Sequence, residues 1–105
     1  MREFETGATR DDDADKLDYE GFESPFVLER YAQYMHSNRL QSDGKLRASD
    51  NWQKGISKDV YMKSMHRHFM DVWMGHRGRD VDMEESLCAL MFNTMGYLFE
   101  KMRND

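Results

Sequence analysis

The chain has a single proline, and it follows Ser24 at position 25. Serine before proline is a helix start. The hydroxyl accepts from an orphan N–H of the first turn, and proline at the first helical position gives up an N–H that would have no intrahelical partner. Val27, Tyr31, Tyr34 and Met35 then recur on one apolar face, with Glu29, Arg30 and Gln33 free to meet water, so the spacing predicts a helix over 25–37. Ser57 caps a second helix reaching about residue 74, with Asp59 near its positive end and Tyr61, Met65, Phe69, Val72 and Trp73 as its buried stripe. Gly75, Arg77 and Gly78 break that pattern. Asp82 and Glu85 have capping-box spacing, and a third helix to about residue 102 presents Leu87, Leu90, Met91, Met95, Leu98 and Met102. Ten methionines suit a helical core with adaptable packing. The expectation is an all-α class, a three-helix bundle without internal repeats or paired strands.

Residues 1–23 are polar and unpatterned, and Asp11, Asp12, Asp13 and Asp15 repel one another. They read as an extended N-terminal arm that Phe4, Leu17, Tyr19 and Phe22 anchor on the core or on a neighbour, leaving 24–105 as the helical domain. Between the first two helices, polar residues with Gly44 and Gly55 predict a long loop over 38–56, and loops of that length in compact domains tend to be functional. A length of 105 residues fits one domain, and the surplus of methionine and aromatic side chains predicts a homo-oligomer. The net charge of −5 argues against a duplex nucleic-acid surface. Cys88 is alone, so no intrachain disulfide can form, and a reducing cytoplasm is the expected compartment. No apolar run approaches the roughly 20 residues of a membrane span, and the N-terminus lacks a signal-peptide core, so a soluble, unprocessed protein is expected.

The densest chemistry lies between Asn51 and Glu85. Asn51-Trp52-Gln53-Lys54-Gly55-Ile56, then Arg67-His68, then Asp80, Asp82, Glu84 and Glu85 bring together an aromatic face, cations and carboxylates. That inventory suits a nucleotide base, its phosphates and a divalent metal. Lys45, in the turn Asp43-Gly44-Lys45-Leu46-Arg47, and Lys54 are candidate phosphate ligands; Trp52 either stacks on a base or anchors the loop. Arg67 either clamps phosphate or pairs with Asp71 at i,i+4. His66 and His68 point to different sides of a helix, so at most one joins a site. The acidic cluster either holds metal or complements the dipole of the third helix. Asn93, in an apolar helix, either orients a ligand or joins helices, and Cys88 reads as a buried small hydrophobe.

The run Glu5-Thr6-Gly7-Ala8-Thr9-Arg10-Asp11, with Ser24-Pro25, Arg30-Tyr31, Asp43-Gly44-Lys45, Asn51-Trp52-Gln53-Lys54-Gly55, Arg67-His68 and Asn93, resembles small phage proteins of the dATP/dGTP diphosphohydrolase N-terminal-domain type. The resemblance extends over nearly the whole chain, and Asn-Trp-x-x-Gly followed by Arg-His is its most specific part. It implies an all-helical phage protein of the host cytoplasm that handles purine deoxynucleoside triphosphates, releasing monophosphate and pyrophosphate with Mg²⁺ or Mn²⁺. A more distant analogy is to all-α pyrophosphohydrolases of the MazG type, whose paired carboxylate motifs chelate magnesium; the comparable groups here are His68, Asp82 and Glu85, with Asp71 beside them. The nucleotide-binding set is then Lys45, Trp52, Lys54, Arg67 and Asn93. The second helix carries no Glu-x-x-Glu, which favours the alternative of a non-catalytic, metal-free protein that sequesters a nucleotide, such as an immune signalling nucleotide of the bacterial host.

Overall fold

The computed structural model describes residues 2–12 and 14–104, Asn104 by its backbone alone. Met1 of the arm and Asp13 of its acidic block lie outside the described residues. In chain order, β1 (Arg2–Glu3) pairs antiparallel with β2 (Thr9–Arg10), and the short α1 (Tyr19–Phe22) precedes α2 (Pro25–Ser37). A 3-10 turn (Asn51–Lys54), α3 (Lys58–His76) and α4 (Met83–Asn104) follow.

Each long helix begins where its capping residue stands. Ser24 Oγ accepts from Val27 N at 3.3 Å, Ser57 Oγ from Asp59 N at 3.1 Å and Asp82 Oδ1 from Glu85 N at 3.1 Å. α3 stops at Gly78, whose φ of 108° lies in the region that favours glycine, while Arg79 N closes the last turn on Met74 O at 2.9 Å.

α3 and α4 form an antiparallel hairpin. Gly75 of α3 abuts Val81 and Met83, and Tyr61 lies over Gly96, where a Cβ would overlap its ring. The described core is small: Tyr61, Cys88 and Ala89, joined by the buried Asn93, Gly96 and Glu100. Glu100 Oε1 accepts from Ile56 N at 3.2 Å, and Arg103 donates to Gln53 O at 2.7 Å, so the end of the long loop is fastened to α4. α2 packs on α4 and is tied there by Arg30, at 2.7 Å from Glu84 and 3.4 Å from Glu85.

The architecture is mostly helical, yet three expectations need correction. First, the faces differ. Phe69 and Trp73 of α3 are exposed, Val27 of α2 is exposed, and Arg30 is half-buried in an ion-pair cluster. On α4 the apolar stripe Leu87, Met91, Met95, Leu98 and Met102 lies outward, and Leu90 is half-buried. What α4 turns toward α3 are the small residues Ala89 and Gly96, which let the Tyr61 ring approach, with Asn93 and Glu100 admitted because they find backbone partners. Second, two paired segments occur where none was expected: the hairpin turning at Gly7 and a bridge between Leu40 and Leu46 around Gly44, both glycines having positive φ. Third, the packing is uneven: α3 and α4 form the long packed pair, α2 packs on α4 over a shorter stretch, and a cavity opens between α2 and α3. Its walls carry Ser64, His68 and Asn93, which do not zip together as apolar side chains would.

Among the described residues of the arm, the apolar anchors are left uncovered. Phe4, Leu17, Tyr19 and Phe22 are exposed, and the hydrogen bonds described for it are local. The radius of gyration is 19.0 Å, against roughly 13 Å for a compact chain of this length. No helix among the described residues is long and apolar enough to cross a membrane.

Candidate functional site

The loop after α2 is built by its own pairing. Arg47 N donates to Arg39 O at 2.8 Å, Gln41 N to Lys45 O at 2.8 Å and Gly44 N to Gln41 O at 3.0 Å, so residues 39–47 fold back as a hairpin with Asp43 and Gly44 at its tip. Arg39 and Arg47 therefore stand opposite each other at its base. Arg39 Nε donates to Arg47 O at 2.7 Å, and an Nη of Arg47 donates to Asn38 O at 2.7 Å. Each guanidinium is held by one backbone carbonyl and keeps further N–H donors.

This base forms one wall of a half-open cavity of about 530 Å³, a volume in the range of small-molecule sites. α2 contributes Tyr34, Met35 and His36; the loop contributes Asn38, Arg39, Arg47 and Ser49; the 3-10 turn contributes Asn51 and Trp52. Ser64 and His68 of α3 and Phe92 and Asn93 of α4 close the far side. Two arginines and two histidines thus share a lining that contains no Asp or Glu. Such a space attracts anions.

Trp52 both anchors and lines. Its ring meets Phe92 edge-on at 6.2 Å and Phe99 at 4.9 Å, which fixes the turn on α4. Asn93 is 6% exposed and donates to Ala89 O at 2.8 Å, so its amide group is oriented by its own helix. Trp52, Asn93 and His68 are therefore brought together. Lys45 lies at the exposed hairpin tip and Lys54 in the exposed part of the turn, and neither lines the cavity. Arg67 is exposed outside it and donates to Ser64 Oγ at 2.8 Å; the alternative pairing with Asp71 is not formed.

His68, Asp82 and Glu85, read as a metal set, are not brought together. Asp82 caps α4 and Glu85 faces Arg30. Among the described residues no three His, Cys, Asp or Glu side chains converge as a metal group.

Burial shapes the titratable groups in and behind the cavity wall. The Tyr31 phenol is pushed up to about 12, mainly by desolvation, with Tyr34, Cys88 and Tyr61 adding, and its buried hydroxyl has no hydrogen-bond partner. Tyr34 is raised for the same first reason, then by Glu85 and Cys88. Burial also raises the Cys88 thiol, opposed by Arg30 and assisted by Glu85, Glu84 and Asp82. That fits an inert small hydrophobe better than a nucleophile.

Arg39 and Asn38 were not singled out by the sequence, and Arg47 stood there only as one end of a turn whose basic side chains could receive phosphate. The signal available was Leu40 and Leu46 flanking Asp43-Gly44, which places residues 39 and 47 across from one another once the turn is read as a hairpin. No family model, curated protein or solved structure matches this chain.

Proposed function

We propose that the chain binds a purine nucleotide in the cavity between α2, α3 and α4, and holds it rather than turning it over. The observation that carries this reading is the carboxylate-free lining with Arg39 and Arg47 presented side by side. Planar guanidinium groups suit phosphate oxygens, and an arginine already fixed by a backbone carbonyl loses less freedom on binding. The base would rest against Trp52 and Phe92, with Asn93 and Ser64 supplying polar contacts. His36 and His68 would add donors on the phosphate side.

The hydrolase reading rests on the resemblance to dATP/dGTP diphosphohydrolases. Metal-assisted attack at a phosphate needs carboxylate or water ligands around the ion at the scissile bond. Asp82 and Glu85 are engaged elsewhere, as a cap and an ion pair, so the donor set favours sequestration. Under either reading the protein is expected to act as a homo-oligomer in the host cytoplasm.

The test is to incubate the protein with dATP, dGTP and cyclic dinucleotides, with and without Mg²⁺ or Mn²⁺, then separate bound from free ligand and resolve all products. Depletion of intact free nucleotide supports sequestration. Appearance of monophosphate and pyrophosphate establishes the hydrolase instead. Arg47→Lys should weaken retention by roughly 1.5–3 kcal/mol, the range for hydrogen bonds to charged groups, whereas Lys54→Gln, exposed outside the lining, should leave it unchanged. Equal retention by both variants would remove Arg47 from the site.

A further inference from the structure

α4 has two sides of opposite character. Toward α3 it buries Asn93 and Glu100, at 6% and 5% exposure; away from α3 it leaves Leu87, Met91, Met95, Leu98 and Met102 at 39% to 72%. These five recur at steps of four, four, three and four, the spacing of a helix–helix seam. By the hydrophobic effect alone the rotation should be reversed, unless something else covers the stripe.

The amount of surface agrees. The chain exposes 8687 Å², whereas a compact monomer of its mass would expose roughly 6,200 Å². The extended arm accounts for part of this excess, and what remains has room for the roughly 800 Å² that each partner loses in an interface of standard size. Charge then selects the occupant. α4 opens with Glu84 and Glu85, just after Asp82, three carboxylates with Arg30 set against them, and closes with Lys101 and Arg103, two cations with Glu100 beside Arg103, so its two ends keep opposite charge. A second α4 laid antiparallel sets apolar stripe on apolar stripe, each acidic end beside the other's basic end, and opposes the helix dipoles favourably. A parallel arrangement would place like charges together.

We infer that two copies of this chain pair through their α4 helices, antiparallel about a two-fold axis near Met95. Leu87 of one copy then faces Met102 of the other, and Met91 faces Leu98. This isologous contact is independent of the ligand proposal, since no residue of the stripe lines the cavity.

Sedimentation velocity of the full chain at micromolar concentration tests the pairing. The expected mass is twice 12.5 kDa or a multiple of it, and Leu98→Glu should lower that mass at least twofold while keeping its helical circular dichroism. Direction is read by disulfide trapping in a Cys88→Ala background, which needs no destabilising charge. Met95→Cys should cross-link to its own kind on oxidation, Leu87→Cys should not, and Leu87→Cys mixed with Met102→Cys should. A native chain sedimenting at 12.5 kDa overturns the inference, as does self-linkage of Leu87→Cys, which would mean parallel pairing.

Discussion

Tyr61 and Gly96 show how one contact can set a helix rotation. The ring lies where a Cβ on residue 96 would stand, so Gly96→Ala adds a methyl group to a filled space. Overpacking of this kind costs about 1–3 kcal/mol, which outweighs the ~1 kcal/mol that alanine gains over glycine inside a helix. A lowered denaturation midpoint is the expected result. Tyr61→Phe should act the other way: the hydroxyl is buried without a partner, and removing an orphaned polar atom recovers part of a desolvation penalty of about 1–3 kcal/mol. Urea titration of both variants checks the pair of signs. Tyr31 adds a pH dependence. Its folded phenol ionises near 12 rather than the ordinary 10.0, so its contribution to stability is complete below pH 10 and is lost as pH rises toward 12. Melting temperature should fall over that window, and Tyr31→Phe should flatten the decline.

At the scale of elements, the starts of the three long helices were legible because capping is local. Ser24, Ser57 and Asp82 each meet an N–H two or three residues on, and no distant residue has to be known to find them. The buried faces were not legible. On α4 both the Leu/Met stripe and the Ala89, Asn93, Gly96, Glu100 stripe have helical period, and the choice between them depends on an aromatic ring brought from α3. The site was half legible for the same reason. Trp52 and Asn93 declare themselves by residue type, whereas Arg39 and Arg47 become neighbours only through the hairpin pairing. Asp82 separates cap from metal ligand. Asp82→Ala should cost about 1 kcal/mol of stability, the usual worth of an N-cap, and Asp82→Asn, which preserves an acceptor, should cost much less. Nucleotide retention should be unchanged in both. A loss of metal-dependent retention or turnover in Asp82→Asn would restore the carboxylate to the site.

For the whole molecule, the acidic balance resides in the arm. Residues 1–23 hold nine carboxylates and three cations, so the remaining 82 residues carry eleven carboxylates against twelve cations, and the net charge of −5 becomes +1 without the arm. The arm's apolar anchors are exposed, and its described hydrogen bonds are local, so its removal takes little from the helical core. Deletion of 1–23 should therefore leave the melting temperature within about 4 °C of the full chain, the shift that ~1 kcal/mol produces at this size. Ligand binding should change in the opposite sense. Removing six net negative charges relieves repulsion of an anion approaching Arg39 and Arg47, so association with a nucleotide should quicken at low ionic strength. At 0.15 M salt, where the screening length is about 8 Å, the advantage should shrink or vanish. Stopped-flow association rates at two salt concentrations, for the full and shortened chains, measure this directly. A truncated chain that loses most of its helicity would place the arm in the fold instead, and equal rates at low salt would show that its field does not reach the cavity.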